Sequence, residues 1–432
     1  MDFPSINYTN SDMKKITFFV LATLVVLFGL TSCGDEALDV ETVNKQTILV
    51  FLPWTGSSYS SGLYEDFENN LDSIANGIKA KKGLSGSRVL VFISRPKGNT
   101  NTFDKSYLYE LKYDASNQKV EPIELNTYEG NSYASAEGIA QVLRDMQSKA
   151  EALNYALIIG GHGCGWTYYE DWYDYPNNAK GYGVHTTLSV PFEGWDNHPV
   201  TRFFGSVSSN DYAMDVTTLA KGIQASGIPK LQYILFDACY MGNVETAYEL
   251  RNVTNYLIAS SSEVMAAGMP YTSMWTSLNS SAPNYSGIVS SFYNFYSSYE
   301  SPYGNLAAID CRQLEKLASI MKEINTKYPT IKDEKLAGVQ ILDGFKPTLS
   351  YDLGNYVDSL VPEGLLKEQF NNQLKLTVKS AQSTPQVFSA LYYNNYQKID
   401  VKTYSGLSIS DPSSNPVALR GREKTAWWQA TH

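Results

Sequence analysis

Short runs of nearly continuous apolar residues constrain the fold of this chain more than any other feature. The clearest runs are rich in Ile, Val, Leu and aromatic side chains, and they cover residues 47–52, 88–94, 155–160 and 232–236. Such runs are typical of strands that are buried on both faces of a parallel sheet. Weaker runs at 256–260 and 305–309 continue the series. The sequence therefore predicts a mostly parallel central sheet.

Amphipathic helical patterns lie between these runs, at residues 63–82, 135–153, 216–226 and 244–252. A chain that alternates strand and helix folds into an α/β/α sandwich with right-handed crossovers. Within residues 95–134, the segment SYLYELKYD alternates before a turn at 115–118. This alternation predicts a β-hairpin that decorates an edge of the sheet.

The organisation of the chain follows from these patterns and from their interruptions. The predicted parts are a signal peptide at 1–32, a polar tether at 33–46, a main α/β domain at 47–310 with a loop insertion at 167–215, and a C-terminal α+β subdomain at 311–432. The subdomain is predicted because amphipathic helices replace the strand-helix alternation there. The insertion is rich in Gly, Pro, Asn, Asp and Trp, and loops of such length are usually functional or disordered.

Composition limits the class of partner. The chain has 432 residues, 43% of them hydrophobic, which is enough for a large core. The net charge is -10 and the pI is about 5.1, without clusters of Lys and Arg. A nucleic-acid partner is therefore excluded, because a phosphate-binding surface needs clustered cations. Cationic substrates are more compatible with this negative net charge.

The N-terminus has the pattern of an export signal. Lys14 and Lys15 precede an apolar run at 16–30, and Leu30-Thr31-Ser32 leads into Cys33. The run is shorter than the roughly 20 residues that a membrane-spanning helix needs. The segment resembles bacterial lipoprotein signals, which implies a lipid on Cys33, membrane attachment and a place in the outer membrane. Gly34-Asp35-Glu36 after Cys33 resembles the acidic export signal of surface lipoproteins, which implies display on the outer surface. A plain membrane anchor or an ordinary signal peptide is the alternative, and Met1 and Met13 are both candidate starts.

The remaining cysteines predict a free thiol with a chemical role. With Cys33 assigned to a lipid, Cys164, Cys239 and Cys311 are left. An odd number is a poor disulfide framework for an exported chain, because any pairing leaves one thiol over.

Reactive residues follow the two strongest strand signals. His162 follows the run at 155–160, and Cys239 follows the run at 232–236. In open α/β sheets, active sites gather beyond the carboxyl ends of the parallel strands, so both side chains should reach one crevice. Glycines around His162 allow close backbone approach, and their N–H groups can bind an oxyanion. A helix start after Cys239 favours the thiolate, which predicts a Cys nucleophile with His162 as its base.

Three segments carry a resemblance to a known family: HG-x-GW after the first of these strands, DACYMG-x-VE-x-AYELR after the second, and YLIASSSEVMAAGMPY. They resemble the clostripain family of cysteine peptidases, which have the caspase-like fold of clan CD. The resemblance implies that His162 and Cys239 form the catalytic dyad, with the N–H groups of Gly163 and Cys239 as oxyanion donors. It also implies that Asp237 lines the S1 pocket and selects Arg or Lys at P1 through charge-assisted hydrogen bonds.

Two features depart from the family pattern. The segment 261–271 is more apolar than the usual wall of the S1 pocket, which makes a strict Arg or Lys preference less secure than peptidase activity. Cys164 lies close to His162, where a second thiol is not expected. It is an alternative nucleophile, a redox partner or a bystander.

The resemblance also implies self-processing in the loop between the dyad residues. Lys180 and Arg202 lie in this loop and are candidate cleavage sites, although each could be an ordinary surface cation. No cofactor is expected for catalysis. Some relatives depend on calcium, and the loop offers oxygens from Asp171, Asp174, Asp196 and Asp211, but without EF-hand spacing.

Other classes of function stay open from the sequence. A metal site of His162, Cys164 and Cys239 has suitable ligand types, but it lacks Cys-x-x-Cys spacing and an obvious fourth ligand, so no metal centre is expected. A non-catalytic surface lipoprotein that binds protein or glycan would also suit the lipid signal and the many aromatic residues. The preferred prediction is a cysteine endopeptidase that acts on proteins or peptides with basic residues.

Overall fold

The structure of this chain is a computed structural model. It describes residues 43–53, 63–96, 103–129, 132–172, 214–328, 336–389 and 397–432. The predicted signal peptide, Cys33, Lys180 and Arg202 lie outside the described residues. Most of the predicted insertion at 167–215 does so too.

Strands account for the predicted apolar runs. They are β1 (Gln46–Leu52), β2 (Ser87–Pro96), β3 (Phe103–Asp114), β4 (Lys119–Tyr128), β5 (Tyr155–Gly160), β6 (Ile234–Asp237), β7 (Tyr256–Ala259), β8 (Asn305–Asp310), β9 (Tyr351–Asp352), β10 (Val378–Ser383), β11 (Gln386–Ser389), β12 (Gln397–Asp400) and β13 (Ser408–Ile409). Within the described residues, nine of them form one sheet in the order β10-β8-β7-β6-β5-β1-β2-β3-β4.

The centre of this sheet is parallel and its flanks are antiparallel. β1 pairs in parallel with β2 and β5, and β5, β6 and β7 continue the parallel series. β8 and β10 are antiparallel additions on one side, and the β3–β4 hairpin forms the other side. The predicted fold class and the hairpin at the sheet edge are therefore confirmed.

Helices follow the predicted amphipathic patterns. They are α1 (Tyr64–Ala80), α2 (Ala136–Lys149), α3 (Val216–Ala225), α4 (Val244–Leu250), α5 (Tyr271–Leu278), α6 (Tyr285–Ser298), α7 (Leu314–Lys327), α8 (Leu353–Leu360), α9 (Leu365–Thr377), α10 (Pro416–Gly421) and α11 (Ala426–Thr431). Several begin at a side-chain cap, since Ser135, Asp215 and Asn243 accept a hydrogen bond from the amide three residues on. Each cap satisfies a donor that the first helical turn leaves open.

Alternation along β1 explains the two cores. Ile48, Val50 and Leu52 belong to the core on one face of the sheet, which includes Phe67 of α1. Leu49 and Phe51 belong to the core on the opposite face, which includes residues of α2 and α4. A central strand must be apolar on both faces because successive side chains point to opposite sides.

The C-terminal part of the chain is built into the same sheet. Residues 44–432 form one compact unit, and β10 extends the sheet by pairing with β8. α9 and α11 pack on α7. The domain boundaries given above stay predictions. None of the helices in the described residues has both the length and the apolar character that crossing a bilayer requires.

Candidate active site

The register between β5 and β6 aligns the two candidate catalytic residues. Gly160 pairs with Asp237 at the carboxyl ends of these parallel strands. His162 and Cys239 therefore each lie two residues beyond a paired position, on neighbouring strands. Both side chains are buried. The fold thus brings the two loops to one edge of the sheet.

Glycines let the His162 loop touch the Cys239 loop. A Cβ on Gly163 would collide with the carbonyl oxygen of Cys239 and lie 2.8 Å from its amide nitrogen. Gly165 has φ +66°, and a Cβ there would lie 3.0 Å from the carbonyl oxygen of Tyr240. The backbone of Gly163 is therefore packed directly against the amide of Cys239, which supplies the second candidate oxyanion donor.

The thiol of Cys239 contacts the backbone of Val264. The amide of Val264 donates a hydrogen bond to Sγ at 3.3 Å, and the thiol donates to the Val264 carbonyl oxygen at 3.7 Å. An N–H group that points at sulfur favours the thiolate. The sequence carries no signal for the Val264 amide, and the predicted source of thiolate stabilisation is the helix start after Cys239. α4 begins at Val244, as the helical pattern predicts, and its cap Asn243 donates to the carbonyl oxygen of Tyr240 at 2.7 Å.

Residues 260–264 run alongside the nucleophile loop. The amide of Tyr240 donates to the Ser262 carbonyl at 3.0 Å, and the amide of Gly242 donates to the Ser260 carbonyl at 2.7 Å. These bonds hold the loop that carries Cys239 against the segment that follows β7.

Asp237 is buried at the end of β6, and its Oδ2 accepts a hydrogen bond from the hydroxyl of Tyr271 at 3.0 Å. The segment that leads to Tyr271 contributes the buried side chains of Val264, Met265 and Met269. A carboxylate beside apolar side chains can contact both the charged head and the aliphatic stem of a Lys or Arg. The sequence carries no signal for this role of Tyr271, because a Tyr that starts a helix has the same pattern as any other core residue.

A raised pKa makes the other described cysteines poor nucleophiles, although the side chain of Cys164 is only half-buried. Burial raises the pKa of the Cys164 thiol to about 12, with a further contribution from the Glu263 carboxyl. Burial likewise raises the pKa of the Cys311 thiol to about 12. Cys164, Cys239 and Cys311 are all free of disulfides. Because the thiolate is the reactive form, Cys164 and Cys311 should be inert at neutral pH.

A small cavity lies beside Cys164 and Tyr240, with Asp343 and Phe345 on its wall. Its volume is about 10 Å³, which is room for about one water molecule and too little for a substrate side chain.

The C-terminal segment around β13 contacts both loops. The amide of Ser408 donates to the Gly242 carbonyl at 3.0 Å, and Nε1 of Trp166 donates to Oγ of Ser410 at 2.9 Å. The amide of Ser410 also donates to Oε1 of Glu245 at 2.7 Å, in the first turn of α4. The C-terminal segment therefore helps to hold the two loops of the site in place.

The described residues contain no group of three or more His, Cys, Asp or Glu side chains placed to hold a metal ion. Of the four aspartates considered for calcium, only Asp171 is described. Its Oδ1 accepts a hydrogen bond from Nζ of Lys424 at 2.7 Å. Asp171 is thus paired with a lysine, the other three aspartates lie outside the described residues, and no chemical step is assigned to calcium.

A caspase-like α/β/α sandwich with a thiol and an imidazole at neighbouring strand ends defines a cysteine peptidase. The family model described as the clostripain family matches residues 193–412, a range that includes Asp237 and Cys239 and begins after His162. The chain belongs to the clostripain family of cysteine peptidases. Comparison with curated proteins gives no significant match.

Solved structures agree with this assignment. Iotapain, a secreted C11 cysteine protease from Bacteroides thetaiotaomicron, is 37% identical with a TM-score of 0.75, over 90% of this chain and 99% of that chain. A clostripain from Bacteroides thetaiotaomicron ATCC 29148, in complex with the peptide inhibitor BTN-VLTK-AOMK, is 44% identical with a TM-score of 0.50, over 53% of this chain and 99% of that chain. An inactive zymogen C11 protease from Parabacteroides distasonis is 25% identical with a TM-score of 0.69, over 90% of this chain and 98% of that chain.

Proposed function

We propose that this cysteine peptidase is an endopeptidase that cleaves after Lys or Arg, with Cys239 as nucleophile and His162 as general base. The observation that carries the proposal is the β5–β6 register, which sets both residues two positions beyond the paired Gly160 and Asp237. The contact of Gly163 with the Cys239 backbone supports it, because the two loops could not approach with a larger residue at position 163.

The proposed reaction is acyl transfer through a thioester. His162 takes the thiol proton as Sγ of Cys239 attacks the scissile carbonyl carbon. The N–H groups of Gly163 and Cys239 stabilise the oxyanion of the tetrahedral intermediate. His162 then gives the proton to the departing amine, and a water molecule hydrolyses the thioester. Nucleophile and base are both side chains of this protein, so we propose that no cofactor is required.

The preference for basic P1 residues rests on Asp237 as the S1 acid. Its carboxylate is buried, and a Lys or Arg head group would form charge-assisted hydrogen bonds with it. The apolar neighbours Met265 and Met269 suit the aliphatic stem of such a side chain. The inhibitor bound by the similar clostripain carries the peptide VLTK, which ends in a lysine. The net charge of -10 also favours cationic substrates.

Fluorogenic peptides that end in Lys, Arg or Leu test the activity and its specificity. The wild type should turn over the Lys and Arg peptides, and alkylation of thiols should abolish the turnover. Cys239→Ala and His162→Ala should each lose almost all activity. Asp237→Asn should selectively lose turnover of the Lys and Arg peptides. Cys164→Ala is the matched thiol control and should stay active. Absence of alkylator-sensitive turnover, even after tryptic nicking of the loop, would favour a non-catalytic binder of protein or glycan.

We also propose self-processing at Lys180 or Arg202 in the loop between the dyad residues. Intact-mass analysis of the wild type beside Cys239→Ala tests it. The wild type should show fragments that the variant lacks, and a single full-length species in both would contradict self-processing. Added EDTA tests separately whether calcium affects processing or turnover.

For the N-terminus we propose lipidation of Cys33, which would attach the protein to the outer membrane with the peptidase facing outward. The lipobox-like Leu30-Thr31-Ser32 before Cys33 supports this proposal. Metabolic labelling with a fatty acid should mark the wild type and not Cys33→Ala. Equal labelling of both would contradict the anchor.

A further inference from the structure

Taking Cys239 as the nucleophile, as proposed above, we infer that Glu263 is a positioning residue that holds the Cys239 thiol in place through the side chain of Tyr240. Neither residue belongs to the dyad, the oxyanion donors or the S1 acid.

Tyr240 has an unfavourable backbone conformation directly after the nucleophile. Its φ is +59°, in the left-handed region that a bulky L-residue rarely adopts. Such a conformation persists only where surrounding contacts hold it, and it is often found at functional sites. The contacts of Tyr240 therefore help to set the position of Cys239.

Buried hydrogen bonds hold Tyr240 at both ends. Its amide donates to the Ser262 carbonyl at 3.0 Å, and its hydroxyl donates to Oε1 of Glu263 at 2.7 Å. Oγ of Ser389 donates to the same Oε1 at 3.0 Å and accepts from the amide of Gly344 at 3.0 Å. Glu263 is fully buried. Ser389, the last residue of β11, thus fixes the carboxyl group of Glu263, and this contact also limits how Tyr240 can move.

We call the hydrogen bond from the Tyr240 hydroxyl to Glu263 the tether. It completes a closed circuit of bonds that includes Sγ of Cys239. Tyr240 follows Cys239 in the chain, and Glu263 precedes Val264, whose amide donates to Sγ at 3.3 Å. Two peptide bonds and two hydrogen bonds therefore connect Cys239, Tyr240, Glu263 and Val264 in a closed circuit. Loss of the Tyr240–Glu263 bond would let the Val264 amide move away from the thiol.

The protonation of Tyr240 suits this role. Burial raises the pKa of its phenol well above the ordinary value, and the neighbouring carboxyl of Glu263 raises it further. The phenol thus stays protonated and donates its hydrogen bond throughout the neutral range.

Substitutions at Tyr240 separate tethering from general packing. Tyr240→Phe keeps the ring and removes the donor, so we expect kcat and the rate of Cys239 alkylation to fall about tenfold with little change in KM. Tyr240→Gly should keep more activity than Tyr240→Ala, because glycine adopts positive φ without the penalty that alanine has. Tyr233→Phe is the matched control. It alters another buried Tyr at the opposite end of β6, whose hydroxyl donates to the Leu278 carbonyl at 3.4 Å.

Substitutions at Glu263 supply the conservative rescue. Glu263→Gln keeps an oxygen that can accept from Tyr240, so it should recover most of the activity that Glu263→Ala loses. The measurements on the full chain are kcat and KM for a Lys peptide, the rate of iodoacetamide labelling of Cys239 by peptide mapping, and circular dichroism for folding. If an Ala variant does not fold, the kcat and the labelling rate of Tyr240→Phe and Glu263→Gln, each compared with the wild type, test the inference.

Unchanged kcat and labelling in Tyr240→Phe would overturn the inference, as would equal losses in Tyr240→Gly and Tyr240→Ala. A Glu263→Gln variant no better than Glu263→Ala would overturn it too, since charge rather than the tether would then be required. Retained turnover in Cys239→Ala would instead refute the proposed nucleophile, so the two failures are distinguishable.

Discussion

The hydroxyl of Tyr271, the first residue of α5, donates a hydrogen bond of 3.0 Å to Oδ2 of Asp237 at the end of β6. The two residues are 34 positions apart in the chain, and both are buried. This bond fixes the orientation of the carboxylate that we propose as the S1 acid. It therefore links the geometry of the pocket wall to the specificity of cleavage.

Tyr271→Phe should lower kcat/KM for Lys and Arg peptides by about tenfold, mainly through KM, because the Asp237 carboxylate loses a donor that orients it. Steady-state kinetics with Lys, Arg and Leu peptides measures the effect, and Tyr233→Phe again serves as the control. An unchanged ratio between the Lys and Leu peptides would show that Tyr271 does not orient the acid.

Gly163→Ala should abolish activity, because the added methyl group would push the His162 loop away from the Cys239 carbonyl. Overpacking of this kind also destabilises a fold by about 1 to 3 kcal/mol. Gly338→Ala is the matched control, since no heavy atom lies within 4 Å of a Cβ built there. Peptide turnover and thermal unfolding of both variants test the prediction. Full activity in Gly163→Ala would contradict the close approach of the loops.

Iodoacetamide at about pH 7.5 should label Cys239 faster than Cys164 and Cys311. Exposure does not favour Cys239, which is buried while Cys164 is half-buried. The difference should arise because the Val264 amide favours the Cys239 thiolate, whereas the pKa of each of the other two thiols is raised to about 12. Peptide mapping of the native protein measures labelling at each position, and labelling after urea unfolding is the control for reactivity. Rapid native labelling of Cys164 would instead support its role as an alternative nucleophile or redox partner.

Raising the pH from about 5 to about 8 should destabilise the protein through Glu245 and Asp411. Both carboxyls are buried, and burial raises both pKa values, with the Asp411 charge raising that of Glu245 further. Nε1 of Trp427 donates to Asp411 at 3.2 Å, and Arg422, which faces Asp411, opposes the increase. The folded state thus keeps a proton that the unfolded state releases. The stability from this pair is complete below the ordinary carboxyl pKa of about 4, and it decreases as the pH rises through the raised values.

Asp411→Asn should reduce this pH dependence, because an amide keeps the acceptor for Trp427 and carries no charge. We expect the melting temperature at about pH 8 to rise by about 2 °C relative to the wild type, with a smaller change at about pH 5. Thermal unfolding followed by circular dichroism measures both. An equal shift at the two pH values would mean that the carboxyl pair does not carry the effect.

Much of the fold could be predicted because its signals are local. The apolar runs correspond to β1, β2, β5 and β6, since a strand buried on both faces must be apolar at successive positions. The helix boundaries lie within a few residues of the predicted ones, because caps such as Asp215 and Asn243 act on their own first turn.

The place of the C-terminal residues in the main sheet could not be predicted from local patterns. β10 has a mixed polar sequence, VKSAQS, and it joins the main sheet beside β8 although Asp310 and Val378 are far apart in the chain. The order of strands in a sheet depends on which surfaces meet during packing, and no local pattern encodes that order.

The sequence by itself determined the fold class, the two strand-end loops and the candidate residues His162 and Cys239, because hydrophobic patterns and spacing along the chain carry those signals. Asp237 was added by the resemblance of its segment to the clostripain family. Only the tertiary structure decided what surrounds them. The Val264 amide at the thiol, the Tyr271 hydroxyl at Asp237 and the bond from Ser389 to Glu263, which spans 126 positions, each join distant segments. A backbone amide has no sequence signature, and a buried hydroxyl finds its partner only when separate elements pack against each other.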